Sequence, residues 1–303
     1  MKKVWLVNDR LTCIPGTKTF WHNLLDWFPN VQDKTFGYTD FYQLPSKIER
    51  EVAEFGAPDM IIRNASYFRR INSNIPTVSL LQDVLSDKSM QIDVCNNSSH
   101  VICVSKSVAD LYRPSINKEI KIIPIGTDFS IFNESLCNPI DFDILPNSIL
   151  FIGDSTDYPK GFSLLLDIVN KSNYNFCFVM KDEWATDHPR IKVFNKINHS
   201  LLPKIINSCS LAICTSKEET LHLAGIECAA CNLPLVVSNV GIYKHLNSGE
   251  WGIKVVEYGV DSFLTAIKST FDGLDNFKSR DFFINQKLDL ESCKNGWSKL
   301  LNE

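Results

Sequence analysis

The 303-residue sequence has no long hydrophobic run, since no window approaches the roughly 18 apolar residues that a bilayer-spanning helix needs. Its first apolar run ends at Asn8, which is too early for a signal peptide and indicates a first β-strand. An excess of one charge is also lacking: 31 Lys and Arg against 35 Asp and Glu give a net charge of −4. The sequence therefore predicts no general attraction to nucleic acid or to an anionic membrane.

The chain also lacks the paired CxxC elements of a typical zinc site. It has ten cysteines, and those in or beside apolar runs are predicted to be buried free thiols. One CxxC, formed by Cys228 and Cys231, falls in a predicted helix with no second CxxC nearby; a metal or redox site is the alternative. Free thiols favour a reducing, cytoplasmic compartment. The thiols predicted to be buried are Cys103, Cys177, Cys209 and Cys214.

What the sequence does have is alternation of short apolar runs with amphipathic segments. Helices such as Phe20–Phe28 and Lys106–Tyr112 are predicted between the strands of the first half. Such alternation predicts parallel sheets covered by helices. The strands predicted in the first half are Val4–Val7, Met60–Ile62, Thr77–Leu81, Val101–Val104 and Ile120–Ile123.

The alternation restarts after a loop-like stretch, Asn133–Asn147. We expect an α/β protein of two Rossmann-like lobes, residues 1–140 and 141–285, facing a central cleft, with a C-terminal helix in 286–303 that packs on the core. Ligands of such sheets bind at the carboxyl ends of the strands, so the cleft is the expected site. The strands predicted in the second half are Ser148–Ile152, Phe176–Met180, Ile191–Phe194, Leu211–Cys214 and Leu235–Val237, with helices Gly161–Asn170, Leu201–Ser208 and Leu223–Ala230.

Two glutamates eight positions apart, Glu219 and Glu227, follow the predicted strand Leu211–Cys214. Backbone amides of Thr220–Leu223, at the start of the next helix, are free to donate to an anion such as a diphosphate. One carboxylate can accept hydrogen bonds from sugar hydroxyls, and the other can bind a ribose diol. The alternative is a pair of glutamates on a solvated helix face.

The segment Lys217–Gly241 resembles the donor-site signature of glycosyltransferase family 4, a retaining family with the GT-B fold. The family pattern is roughly E-G-F-G-L-x-x-x-E-A, followed by a small-residue helix and G-x-P-V-V-x-S-x-x-G. This chain has E-T-L-H-L-x-x-x-E-C and N-L-P-L-V-V-S-x-x-G at the same spacing, without gaps. The resemblance implies that Glu219 positions the donor sugar and that Glu227 holds the nucleotide ribose.

Upstream segments resemble the family in order and distance. Ile149–Asp167 corresponds to its strand, glycine turn and Lys-Gly helix start, which implies donor contacts for Gly153 and Gly161. The same resemblance implies that the Lys160 ammonium neutralises the donor diphosphate. Three further segments fit the family pattern: Ile120–Phe132, Val101–Tyr112 and Pro15–Phe28, the last carrying Gly16 of the first-lobe glycine loop.

The chain departs from the family at three places. The Gly-Phe-Gly after the first glutamate is Thr220, Leu221 and His222, which puts the shape of the sugar pocket in doubt and lets the His222 ring reach phosphate or sugar. Asp154 replaces a basic residue, a charge that Lys181 could supply. The family His-Asp pair is Gln82 and Asp83, retained as acceptor candidates without a catalytic histidine.

Other polar groups are weaker candidates. The Asp-x-Asp at 141–143 could bind a metal, but it lies in the expected loop between the lobes rather than after a strand. Arg63, Arg69 and Arg70 accompany aromatic residues and could contact an anionic acceptor; a solvated loop is the alternative. His22 is expected to pack on its own helix.

The resemblance implies a metal-independent glycosyltransferase of the hexosyl type that needs no cofactor besides its UDP- or GDP-linked donor and acts with retention on a glycan or glycoconjugate hydroxyl. Three alternatives stay open: an enzyme that glycosylates modified viral DNA bases, a non-catalytic nucleotide-sugar or glycan-binding relative, and a phosphorylase or epimerase of similar architecture. Oligomeric state is not predicted. The expected catalytic residues are Glu219 and Lys160, and the expected donor-binding residues are Gly16, Gly153, Lys160, Gly161, Thr220, Leu221, His222, Leu223 and Glu227.

Overall fold

The structure, a computed structural model, describes residues 2–9, 15–36, 44–65, 71, 74–135, 142–246, 250–273 and 277–303. Asp141, Arg69 and Arg70, which the sequence offers as metal or anion ligands, lie outside these residues. The chain divides into two compact units, residues 1–126 with 291–303, and residues 127–290. The sequence suggests a division near residue 140; the structure places it after Gly126 and adds the end of the chain to the first unit.

The first unit contains a six-stranded parallel sheet in the order β2-β1-β3-β4-β5-β6. Every residue of its interior strands β3 and β4 is buried, as expected for strands covered on both faces by helices. The strands are β1 (Val4–Asp9), β2 (Val31–Phe36), β3 (Met60–Asn64), β4 (Thr77–Leu81), β5 (His100–Cys103) and β6 (Ile120–Ile122); the helices are α1 (Pro15–Trp27), α2 (Leu44–Phe55), α3 (Ser89–Asn96) and α4 (Lys106–Tyr112).

The second unit contains another six-stranded parallel sheet, in the order β12-β11-β10-β7-β8-β9. Five buried phenylalanines, at positions 151, 162, 176, 178 and 263, belong to its core. The strands are β7 (Ser148–Gly153), β8 (Asn175–Met180), β9 (Ile191–Asn195), β10 (Leu211–Cys214), β11 (Leu235–Ser238) and β12 (Ile253–Val256); the helices are α5 (Phe162–Asn170), α6 (Leu202–Asn207), α7 (Leu223–Ala230), α8 (Val260–Phe271) and α9 (Ser279–Asn285).

The last helix, α10 (Leu290–Asn302), returns to the first unit. The Trp297 ring is fully buried and lies 5.6 Å from the Phe20 ring of α1, and a Cβ added at Gly296 would lie 3.1 Å from Ile123. The predicted packing of a C-terminal helix therefore takes place on this unit.

The two parallel sheets with flanking helices confirm the predicted α/β class with two Rossmann-like units. The order in the second sheet changes direction between β10 and β7, so the ends of these two strands form a topological switch point, where such sheets bind ligands. The eight cysteines within the described residues are free and buried, and the four thiols predicted to be buried are among them.

Candidate functional site

The loop from β7 to α5 places Lys160 beside the end of β10. Gly161, the residue before α5, has a left-handed backbone with φ 65° and ψ 38°. A Cβ at Gly161 would lie 2.0 Å from the carbonyl oxygen of Thr215, so the contact admits only glycine. The Thr215 hydroxyl donates to the Lys160 carbonyl at 3.1 Å. These contacts hold the Lys160 backbone against the segment that follows β10.

Glu219 lies on that same segment and pairs with Lys160. The Lys160 Nζ is 2.8 Å from Glu219 Oε1, and the Ser216 hydroxyl donates to the same oxygen at 2.9 Å. The two paired side chains are only 19% and 12% exposed. The sequence motifs that suggested Lys160 and Glu219 are 59 residues apart, and the structure joins them in one ion pair.

The ion pair keeps both groups charged. Burial raises the pKa of Glu219, but the charges of His222 and Lys160 and the hydrogen bonds from Lys160 and Ser216 outweigh it, and the net shift is downward. Burial lowers the pKa of Lys160, and Glu219 more than restores it, so this pKa is raised. A charged carboxylate and a charged ammonium are therefore the ground state of the site.

Lys181, directly after β8, adds a second positive charge. Its amide donates to the carbonyl of Gly153, the last residue of β7, at 2.8 Å. Partial desolvation lowers the pKa of Lys181, and the nearby Lys160 charge lowers it further. The Lys160 charge therefore acts on Lys181, and the role of Lys181 as a replacement for the missing basic residue at position 154 stays a prediction.

The start of α7 has an unusual backbone at His222, with φ 69° and ψ 65° in the left-handed region. The family 4 pattern that the sequence resembles has glycine at the corresponding position, and the left-handed region favours glycine. The amides of Gly225 and Ile226 donate to the His222 carbonyl. The amides of Leu223 and Ala224 lie in the first turn of α7, where no earlier helical carbonyl is in reach. The Leu221 side chain is 2% exposed, which leaves its backbone as the part that a ligand could contact. Thr220 and Leu223 are partly buried.

The second glutamate of the motif, Glu227 of α7, pairs with His199. The His199 Nε2 is 2.8 Å from Glu227 Oε1, with the side chains 58% and 14% exposed respectively. The His199 ring also packs on Phe132, with centroids 5.3 Å apart. The hydrogen bond to Glu227 raises the pKa of His199 despite partial desolvation. Sequence reasoning missed His199, since it lies in a short 3₁₀ turn without a motif.

A second group that the sequence missed surrounds His222. Its Nδ1 is 2.7 Å from the hydroxyl of the buried Tyr243. Cys214, the last residue of β10, also interacts with the imidazole: burial raises the pKa of the thiol, but the charge and hydrogen bond of His222 bring the net shift downward. Ligand atoms of Cys214, Glu219 and His222 all lie within 4.8 Å of one another. Among the described residues this is the one group of three or more with metal-ligand spacing.

Three predicted residues, Gly16, Gln82 and Asp83, lie in the first unit. Gly16 falls in the first turn of α1, a helix that begins five residues earlier than the predicted Phe20. Gln82, directly after β4, is 3% exposed and accepts from the Asn64 amide at 3.5 Å. The Asp83 carbonyl accepts from Gln91 at 2.9 Å. The acceptor role of Gln82 and Asp83 stays a prediction.

Residues 146–272 match the family model described as glycosyl transferases group 1. A curated relative, the uncharacterized glycosyltransferase MJ1178 of Methanocaldococcus jannaschii, is 24% identical over 154 residues, which are 48% of this chain and 41% of the relative. The chain thus covers about two fifths of that relative's length. The family match includes the loop carrying Lys160 and the segment from Glu219 to Glu227 in the second unit.

Solved structures resemble the whole chain. Sucrose-phosphate synthase from Thermosynechococcus elongatus is 12% identical with a TM-score of 0.80, covering 98% of each chain. Anabaena HepE in complex with UDP is 15% identical with a TM-score of 0.74, covering 99% of each. A glycosyltransferase from Rickettsia africae is 13% identical with a TM-score of 0.77, covering 99% of this chain and 97% of that one. These likenesses confirm the GT-B fold.

The family match concerns residues 146–272, and the structural likenesses show the fold of the whole chain. None of the helices in the described part of the chain is both long and apolar enough to cross a bilayer.

Proposed function

We propose that this protein transfers a sugar, of the hexose type, from a UDP- or GDP-linked donor to an acceptor hydroxyl on a glycan or glycoconjugate, with retention of configuration. The observation that carries the proposal is the largely buried ion pair of Lys160 and Glu219 at the carboxyl edge of the second sheet, with Lys181 directly after β8 at the same edge. The matched family, and the HepE structures with UDP and UDP-glucose, support a nucleotide-sugar donor.

In this proposal the donor diphosphate binds beside Lys160 and Lys181. The two ammonium groups, with backbone amides at the start of α7, stabilise the negative charge that develops on the leaving diphosphate. Lys160 is already held in place by Thr215 and Glu219, so little reorganisation is needed on donor binding. These charges supply what a bridging metal ion provides in other transferases, and the proposal includes no metal cofactor.

The carboxylates orient the donor. Glu219 is charged and fixed through Oε1, so its second oxygen can accept a hydrogen bond from a sugar hydroxyl. Glu227 accepts from the ribose diol in the place now taken by His199. For retention, the leaving phosphate takes the proton of the acceptor hydroxyl on the face where the new bond forms, so no separate base is required.

Calorimetry with UDP, GDP and their sugars tests the donor half of the proposal. We expect one nucleotide diphosphate to bind, and Glu227→Ala to weaken it about tenfold or more, since a hydrogen bond to a charged group contributes roughly 1.5–3 kcal/mol. The matched control is Glu134→Ala, an exposed glutamate beside Asn232 beyond the opposite end of α7. Equal affinities of Glu227→Ala and the unaltered protein would contradict the ribose role.

Turnover then separates a transferase from a relative that only binds. The replacement of Gly-Phe-Gly by Thr220, Leu221 and His222 is the observation that favours a binder, since Leu221 is buried and His222 is held by Tyr243. A transferase releases the nucleoside diphosphate faster when acceptor is present. If the donor binds but no nucleoside diphosphate is released with any acceptor of a glycan panel, the protein is a non-catalytic binder.

A further inference from the structure

The Cys214, Glu219 and His222 side chains meet at the point where β10 ends and α7 begins. One ligand atom from each, a thiol sulfur, a carboxylate oxygen and an imidazole nitrogen, lies within 4.8 Å of the other two. Such mutual spacing lets one ion contact all three after small side-chain rotations, because bonds from zinc to sulfur, nitrogen or oxygen are about 2.0–2.3 Å long.

We propose that Cys214, Glu219 and His222 form a binding site for a divalent transition-metal ion of the zinc class, and that an ion bound there competes with the sugar donor for Glu219. Thiolate and imidazole are ligands that zinc accepts and that magnesium and calcium do not prefer. Three protein ligands leave one position of a tetrahedral ion open.

Hydrogen bonds already fix the atoms that would not face the ion. Among the described residues, both hydrogen bonds to the Glu219 carboxylate, from Lys160 and Ser216, reach Oε1. Oε2 is therefore the oxygen available to a metal ion. In protein metal sites, ligating carboxylates are oriented by such outer hydrogen bonds.

The imidazole is held in the same way. His222 Nδ1 is 2.7 Å from the Tyr243 hydroxyl, which leaves Nε2 as the ring nitrogen for the thiol or for a metal ion. A metal-bound histidine commonly donates its other N–H to an oxygen. The Tyr243 side chain is fully buried, and a Cβ added at Gly225 would lie 2.0 Å from its hydroxyl and 2.4 Å from His222 Nδ1. The ring orientation is therefore set by packing as well as by the hydrogen bond.

The third ligand comes from the end of a central strand. The Cys214 carbonyl accepts a hydrogen bond from the Ser238 hydroxyl of the neighbouring strand at 3.3 Å, so the backbone at this position is fixed. Cys214 and His222 also line a small pocket between the sheet and α7, together with Ile152 and Gly225. The ion could enter along the partly exposed His222 side.

The backbone of His222 adds an independent argument. A residue with a side chain in the left-handed region costs about 1–2 kcal/mol relative to its usual conformation, a cost that glycine does not have. His222 has this conformation, and its ring is used in contacts with Cys214 and Tyr243. A bond from the ring to a metal ion would offset part of this backbone cost.

Cobalt(II) titration of the full-length, reduced protein tests the site without any nucleotide. A cobalt ion bound to a thiolate in a four-coordinate site gives an intense sulfur-to-metal absorption and visible bands, and zinc should displace it. We expect one cobalt ion per chain with these bands. Cys214→Ser should abolish the sulfur-to-metal band, and Glu219→Gln should weaken affinity at least tenfold.

Matched variants separate this site from the other thiols and histidines. Cys228→Ser alters a buried cysteine that lines the same pocket but is not among the three ligands, and it should leave the spectrum unchanged. Tyr243→Phe removes only the hydroxyl beside His222 and should weaken cobalt affinity about 10- to 100-fold, as loss of an outer hydrogen bond does in metal sites. If Cys214→Ser does not fold by circular dichroism, His222→Gln takes its place; it keeps the sulfur ligand and should weaken cobalt affinity at least tenfold.

Two results would overturn the proposal. One is a folded, unaltered protein that shows no sulfur-to-metal band at millimolar cobalt; the other is a band that persists at unchanged affinity in Cys214→Ser or His222→Gln. Competition rests on the proposed function and is measured separately, as the rise in apparent donor Kd when zinc replaces a chelator. Donor that fails to bind even with chelator counts against the proposed function and leaves the metal site standing. Donor affinity that is unchanged by saturating zinc refutes the competition.

Discussion

Replacing Lys160 by methionine tests the ion pair at the centre of the site, because methionine removes the charge and keeps an unbranched side chain. Glu219 would lose a partner at 2.8 Å and stay 12% exposed, with Ser216 as a remaining donor. Breaking a fully buried pair costs about 3–5 kcal/mol, whereas an exposed pair contributes about 0–1 kcal/mol. For this largely buried pair we expect Lys160→Met to lower the free energy of unfolding by about 2–3 kcal/mol.

A double-mutant cycle in urea separates the lost attraction from lost packing. Glu219→Gln removes the charge that Lys160→Met leaves without its partner, so the double variant should be more stable than the sum of the single losses predicts. We expect a coupling energy of about 1–2 kcal/mol between the two positions. Additive losses, within about 0.5 kcal/mol, would refute the claim that the two charges stabilise each other.

The same pair predicts a pH dependence. The pKa of Glu219 is depressed in the folded state, so its contribution to stability is present above the unfolded pKa and is lost as the pH falls through the folded pKa. Urea unfolding between neutral and acidic pH should therefore show a smaller loss of stability in Glu219→Gln than in the unaltered protein. Identical slopes in the two proteins would show that another group causes the acid loss.

Two further substitutions have matched readouts. Gly161→Ala should lower stability by about 2 kcal/mol or more, since the new Cβ would meet the Thr215 carbonyl at 2.0 Å in a left-handed backbone, while Gly259→Ala, with open space around its Cβ, should change stability by less than about 0.5 kcal/mol in thermal melts. The raised pKa of His199 means that its pair with Glu227 stabilises below the unfolded pKa and is lost as the pH rises through the folded pKa. His199→Gln should thus lower the free energy of unfolding by a few tenths of a kcal/mol at pH 5.5. The value is small because the His199 side chain is 58% exposed. An equally large loss at pH 9 would contradict the predicted direction of the pH dependence.

The strands predicted from the sequence are those in the interior of the two sheets, together with the edge strands β6 and β9. Most residues of the interior strands are apolar, because helices cover both faces of the sheet. The edge strands β2, with the sequence VQDKTF, and β12, with IKVV, are not picked out by their pattern. Side chains of an edge strand meet water on more sides, so polar residues are tolerated and the apolar signal disappears.

Only the site residues that belong to a sequence motif could be predicted. Lys160 and Glu219 each belong to a recognisable segment, and their pairing follows from the meeting of parallel strand ends at one sheet edge. The pairing of Glu227 with His199 has no such signal, since the two residues are 28 positions apart and His199 lies in a turn of three residues. A contact of this kind depends on how the turn is placed, which local sequence does not determine.

His222 is the position where the departure from the family pattern carried the most information. A glycine replaced by histidine indicates either that the backbone has changed or that the side chain compensates for a strained one. The structure has φ 69° at this residue, so the left-handed backbone is kept. The compensation then has to come from contacts of the ring, and those contacts are with Tyr243 and Cys214. The replacement of glycine by histidine therefore points to a candidate metal site. Its contacts include Tyr243 and Cys214, which lie outside the motif segment Lys217–Gly241.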